Sequence, residues 1–172
     1  AYAAYFGVKP SQVVQGVGSD QMIHTILTTF LQAGDAILTL EPDFFMYRVF
    51  SQVHGANILS YPLDWQDGQP SLSADKVLAF AQEKKAKLII LSNPNNPASI
   101  AYEVSDLEKI VAGFEGIVVV DEAYIDFADV ESLLGKIDQY ENLIVLRTLS
   151  KAFGLAGLRL GFALNCERLA VE

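Results

Sequence analysis

The chain has 172 residues, 51% of them apolar and 19% charged, a balance that belongs to a globular protein able to bury a core of its own. Its formal net charge of −9 argues against a nucleic-acid or anionic-membrane partner, because both require clustered Lys and Arg. Cys166 is the single cysteine, which leaves no intrachain disulfide and no cysteine-based metal site.

His24 and His54 lie too far apart in sequence to mark a metal pair by spacing. No apolar run reaches the ~18 residues of a membrane span, and no charged-then-apolar leader opens the chain. The expected setting is reducing and cytoplasmic. Ala1–Phe6 reads as the tail of a helix ending near Gly7, and the stretch from Asn165 to Glu172 as a helix barely begun. The expectation is a trimmed part of a longer polypeptide.

Between these ends, short runs rich in Val, Ile and Leu alternate with helical patterns, the signature of an α/β domain with a largely parallel sheet. Strands are predicted at Val13–Val17, Ala36–Leu40, Ile58–Tyr61, Lys87–Ser92, Gly116–Asp121, Leu143–Arg147 and Leu160–Leu164. The fold class is therefore α/β, with a mostly parallel seven-stranded sheet flanked by helices.

After the first strand comes Gly16-Val17-Gly18-Ser19-Asp20. A helix follows, with Met22, Ile23, Ile26, Leu27, Phe30 and Leu31 on one stripe and Gly34 as its stop. Free N–H groups at such a helix start suit a phosphate, and Gly18 lets the backbone come close; the same residues also make an ordinary capped turn. Pro42-Asp43-Phe44-Phe45-Met46-Tyr47 follows the second strand, where an aromatic can stack on a flat ring or simply pack in the core.

The stretch from Asp64 to Pro70 reads as a polar turn region. Ser73 is expected to cap the next helix, with Leu72 and Val77 as a hydrophobic staple. Ser92-Asn93-Pro94-Asn95-Asn96-Pro97 is turn-forming, yet it presents two asparagine amides at a strand's carboxyl end, where α/β sheets bind ligands. Ser105 and Glu108 have capping-box spacing.

Asp121 ends the run Gly116-Ile117-Val118-Val119-Val120. A carboxylate there is costly without a partner, and a protonated ring nitrogen would be one. Tyr124 stands three residues on. The last segment is Thr148-Leu149-Ser150-Lys151-Ala152-Phe153-Gly154-Leu155-Ala156-Gly157-Leu158-Arg159. Its lysine suits imine chemistry with an aldehyde, while the hydroxyls and the guanidinium suit a phosphate. Together these features point to pyridoxal 5′-phosphate. Neither a Gly-x-x-x-x-Gly-Lys loop nor a full Gly-x-Gly-x-x-Gly fingerprint is present, which disfavours ordinary nucleotide binding.

Gly18-Ser19-Asp20-Gln21, an aromatic after Pro, Asn-Asn-Pro, Asp121-Glu122-Ala123-Tyr124 and Ser150-Lys151 with Arg159 follow one another in an order that resembles fold-type I, pyridoxal-phosphate-dependent aminotransferases. The finer match is to the histidinol-phosphate group. The resemblance covers essentially all 172 residues and implies a three-layer αβα large domain (1–172), with an N-terminal arm and a C-terminal small domain outside it.

It further implies Lys151 as the catalytic lysine, forming the internal aldimine and shuttling the proton between Cα and C4′. Asp121 would pair with the pyridinium nitrogen, Asn96 and Tyr124 would bond the ring's O3′, and Phe44 would stack on the ring. Ser19, Asp20, Thr148, Ser150 and Arg159 would hold the phosphate, with Gln21 adjoining them. Expected partners are a small-molecule amino donor and a keto acid, in a homodimer of the full-length protein, with no nucleic acid, membrane or metal. One departure is visible: the family usually follows Asn-Asn-Pro with Thr-Gly, and here Ala98-Ser99 stands instead. A decarboxylase or β-lyase on this scaffold would share every motif, whereas a non-catalytic doubly wound binding domain would leave Lys151 without covalent work.

Overall fold

The computed structural model describes residues 1–66 and 69–171. In chain order it forms α1 (Tyr2–Phe6), β1 (Val13–Val17), α2 (Ser19–Phe30), β2 (Ala36–Glu41), α3 (Met46–Val53), β3 (Asn57–Pro62), β4 (Asp64–Gln66), β5 (Gln69–Ser71), α4 (Ala74–Glu83), β6 (Ala86–Ser92), α5 (Val104–Gly113), β7 (Ile117–Asp121), β8 (Leu143–Thr148) and β9 (Leu160–Asn165), with short 3-10 turns between. Each of the seven predicted strands is present, displaced by at most a residue or two at its ends. β4 and β5 pair as a separate antiparallel hairpin within the stretch read as a polar turn, part of which lies outside the described residues.

The main sheet has the order β1-β9-β8-β7-β6-β2-β3. β8, β7, β6, β2 and β3 pair in parallel, while β9 runs antiparallel to both β8 and β1. The carboxyl ends of β1, β2, β6, β7 and β8 therefore share one edge with the amino end of β9. That single reversal brings residues just before β9 to the edge where open α/β sheets take ligands.

Strand periodicity divides the core in two. Leu38, Leu40, Ile89, Leu91, Val118, Val120, Leu143 and Val145 face one side, covered by Ala74, Val77 and Ala81 of α4 and by Leu107, Ile110 and Val111 of α5. Ile37, Leu88, Ile90, Val119, Ile144 and Leu146 face the other, covered by Met22, Ile23, Ile26 and Leu27 of α2 and by Tyr47 of α3. A central strand buried on both faces reads as a continuous apolar run, which is why β6, β7 and β8 are so plain in the sequence. Each fully buried Leu or Ile contributes about 1.5–3 kcal/mol, so these layers fix the strand ends on which the edge loops stand.

Helix ends departed more from expectation. α2 stops at Phe30, with Leu31 extended, and Gly34 (φ 90°) belongs to the turn into β2. Ser73 occupies the N-cap of α4, but its side chain makes no capping hydrogen bond. α5 begins at Val104 with Glu103 as its N-cap, so Ser105 lies inside the first turn and the anticipated capping box is not formed. At the carboxyl end, β9 runs through Asn165 and a 3-10 turn follows at Leu169–Val171. The amino-terminal helix ends at Gly7, which takes the left-handed conformation (φ 69°). Among the described residues no helix is long and apolar enough to cross a membrane.

Candidate active site

The sheet edge holds a small open cavity of about 140 Å³. Its lining includes Ser19, Asp20, Phe44, Asn96, Asp121, Tyr124, Thr148, Ser150, Lys151 and Arg159. Ten of the eleven candidate residues thus meet at one place. Gln21 does not line it. Its side chain turns back to accept a hydrogen bond from the Val17 N–H at 2.5 Å, where it holds the turn between β1 and α2.

Asp121 closes β7 in register with Ser92 of β6. Its carboxylate is buried and accepts the Tyr47 hydroxyl at 3.0 Å on Oδ2 and the Ala123 N–H at 3.1 Å on Oδ1. Burial pushes its pKa up to about 6, against the two donors that pull it down; the nearby Asp20 adds to the rise and Lys151 opposes it. Tyr47 is wholly buried, and desolvation holds its phenol well above the ordinary tyrosine range, so it stays a donor. Among the described residues this buried carboxylate has two donors but no ion-pair partner, and the open side of the cavity is where one would enter.

A second acid lies beneath the first. Asp43 accepts the Phe44 N–H at 2.8 Å and the Ser92 N–H at 3.3 Å, and Ser92 Oγ donates to Asp43 Oδ1. Desolvation raises its pKa to about 7. Ser92 Oγ in turn accepts the Asn96 N–H at 2.9 Å, so Asp43 anchors the loop that carries Asn96. The Phe44 ring meets Tyr47 edge-on, centroids 5.5 Å apart.

At the other end, Gly18 (φ 85°) opens α2, and a Cβ added to it would stand 2.8 Å from Arg159 Nη2. A Cβ on Gly161 would meet the Gly18 carbonyl carbon and the Ser19 nitrogen, each at 2.2 Å. The two glycines let β9 press against the helix start and bring the guanidinium over its free N–H groups. The Ser150 N–H donates to Thr148 Oγ1 at 3.2 Å. Backbone N–H groups, hydroxyls and one guanidinium around a helix N-terminus make a phosphate-type donor set. Lys151 is exposed, and its Nζ stands 4.9 Å from the centroid of the Tyr124 ring.

The family model for aminotransferase class I and II matches residues 1–171. The chain belongs to that aminotransferase family. A histidinol-phosphate aminotransferase from Chlorobaculum tepidum is 42% identical over 172 residues, covering all of this chain and 49% of the relative. The crystal structure of histidinol-phosphate aminotransferase from Sinorhizobium meliloti in complex with pyridoxal 5′-phosphate superposes with a TM-score of 0.83 at 26% identity, over 98% of this chain and 46% of that one. A decarboxylase from Sulfurospirillum multivorans also has a TM-score of 0.83, at 30% identity, over 97% and 48% of the two chains. The chain spans about half the length of the curated relatives it matches.

Against the aminotransferase pattern, Ser99 takes a left-handed backbone (φ 57°) where the resemblance led us to expect glycine. Sequence reasoning missed Tyr47, Ser92 and Asp43 as parts of the site. The spacing of Phe44 and Tyr47, three residues apart at a helix start, was the available signal, since it places both on one face.

Proposed function

We propose that this chain supplies the cofactor face of an aminotransferase that uses pyridoxal 5′-phosphate and acts on histidinol phosphate, with glutamate and 2-oxoglutarate as the exchanging pair. The observation that carries the reading is the convergence on one cavity of Lys151, buried Asp121 and the donor set of Ser19, Thr148, Ser150 and Arg159. The whole protein is proposed to work as a cytoplasmic homodimer.

The residues present fit the cofactor. The cradle between Gly18 and Gly161 has no space for side chains, and its N–H groups, hydroxyls and guanidinium suit a dianionic phosphate. At the opposite end Asp121 is a buried carboxylate with no ion-pair partner among the described residues, suited to a protonated ring nitrogen. When bound, the cofactor supplies a covalent attachment point for amines and a sink for the electrons of a carbanion.

The chain's own side chains then divide the work. Asp121 stays ionised opposite a cation, because pairing reverses the burial that raises its pKa. Tyr47 and the Ala123 N–H fix its orientation. Phe44, Asn96 and Tyr124 line the slot with a ring, an amide and a phenol. Lys151, exposed and beside the Tyr124 ring, has the freedom to carry a proton between neighbouring atoms of a bound substrate as general base and acid.

The likeness to a decarboxylase supports a second reading, in which the same residues serve loss of CO2. The deciding experiment gives the full-length protein histidinol phosphate with 2-oxoglutarate and follows glutamate, and in parallel gives it amino acids, which unlike histidinol phosphate carry a carboxylate to lose, and follows CO2. Glutamate formation without CO2 is expected; CO2 release from an amino acid without glutamate overturns the transaminase reading.

A further inference from the structure

His24 lies within α2 and His54 caps the end of α3, so helix packing joins what the sequence keeps far apart. His24 Nδ1 and His54 Nε2 are 3.1 Å apart. Thr28 Oγ1 donates to the His24 carbonyl at 2.8 Å and stands 3.4 Å from His54 Nε2. Its proton is used on the carbonyl, so the face it turns to the histidines is a lone pair.

The geometry can be tested against two alternatives. A straight N–H···N hydrogen bond at this separation would put the ring centroids about 5.4 Å apart. Two imidazoles sharing one ion at about 2.05 Å would put them about 4.8 Å apart, with their nitrogens about 3.1 Å apart. The observed centroid separation is 4.6 Å, with the planes at 44°, shorter than the straight hydrogen bond requires and nearer the shared-ion value.

We propose that His24 and His54, with Thr28 beside them, form a surface clamp for a late first-row divalent cation such as Cu2+ or Zn2+, separate from the sheet-edge cavity. Neutral imidazole suits these metals, and Cu2+ binds most tightly of the series. No group of three or more His, Cys, Asp or Glu gathers among the described residues, so water completes the coordination and the site is open. It bridges α2 to α3 and would tie together the two helices that carry the phosphate-type donors and Tyr47.

The test is titration of Cu2+ into the full-length protein in a non-chelating buffer, by calorimetry and electron paramagnetic resonance, beside His24→Asn and His54→Gln. One equivalent with nitrogen splitting is expected in the wild type, and its affinity should fall at least about tenfold in each variant. Thermal midpoints from the same samples should rise with Zn2+ in the wild type only, and also report that the variants are folded. Equal Cu2+ uptake and equal midpoints in all three proteins would overturn the proposal and leave the pair a tilted hydrogen bond.

Discussion

The Tyr47 hydroxyl donates to Asp121 Oδ2 at 3.0 Å from the first turn of α3, across the sheet edge. It joins two fully desolvated groups whose pKa values both rise on burial. Removing the hydroxyl leaves a buried carboxylate with one donor fewer. Tyr47→Phe should therefore destabilise the full-length protein by about 1–3 kcal/mol at pH 8, and by less at pH 5, where Asp121 is protonated. Denaturant melts at the two pH values measure this; an equal loss at both would mean that packing alone is at stake.

The raised pKa of Asp121 gives a signed prediction. A carboxyl that binds its proton more tightly folded than unfolded stabilises the fold at low pH, and that contribution is lost as pH rises from the unfolded value near 4 to the folded value of about 6. Asp43 extends the window to about 7. Without added cofactor, the protein should lose stability between pH 5 and pH 8. Asp121→Asn should flatten the curve and be more stable than wild type at pH 8, by at most about 3 kcal/mol. It should also bind pyridoxal phosphate more weakly, because the charge partner is gone. A wild-type curve that climbs from pH 5 to pH 8 would contradict the assignment.

Gly161 stands between Gly16 and Thr148 in register, and an added Cβ would collide with backbone atoms of Gly18 and Ser19. Backbone cannot step aside as a side-chain tip can. Gly161→Ala should cost about 1–3 kcal/mol and weaken cofactor binding by prising β9 from the start of α2. Thermal melts with and without pyridoxal phosphate should show the gap between variant and wild type widening when cofactor is added.

Ser99 carries a left-handed backbone on an exposed loop. L-residues other than glycine lose about 1–2 kcal/mol there, partly offset by the greater freedom of glycine in the unfolded chain. Ser99→Gly should raise stability by about 0.5–1 kcal/mol, seen as a higher thermal midpoint. A lower midpoint would show that the serine hydroxyl contributes more than the backbone loses.

How much of this could be read from the sequence follows from what each interaction depends on. Leu88 to Leu91 and Val118 to Val120 announce buried parallel strands because both faces are covered, and the strand ends then place Asp121, Ser150 and Lys151 at one edge. Helix starts were less legible. Ser105 matches a capping pattern, but the helix begins a turn-fraction earlier at Val104, since packing of Leu107 and Ile110 overrides a weak local preference.

Partners made across the fold were hidden altogether. Arg147, one residue before the end of β8, is buried against Glu122 at 3.0 Å and Asp126 at 2.9 Å, with the Phe6 ring 4.7 Å from its guanidinium carbon, and nothing in the local sequence pairs these groups. Tyr47 and Asp43 likewise look like ordinary members of an aromatic, turn-forming run until α3 folds back over β7.

Borohydride trapping on the full-length protein with pyridoxal 5′-phosphate, read by peptide mass spectrometry beside a Lys151→Ala control, asks directly whether Lys151 forms the imine. A visible absorbance band that reduction abolishes is expected, with one pyridoxyl group fixed on Lys151 and neither band nor label in the variant. A label on other lysines with Lys151 untouched, or an unchanged band in Lys151→Ala, would contradict that role for Lys151.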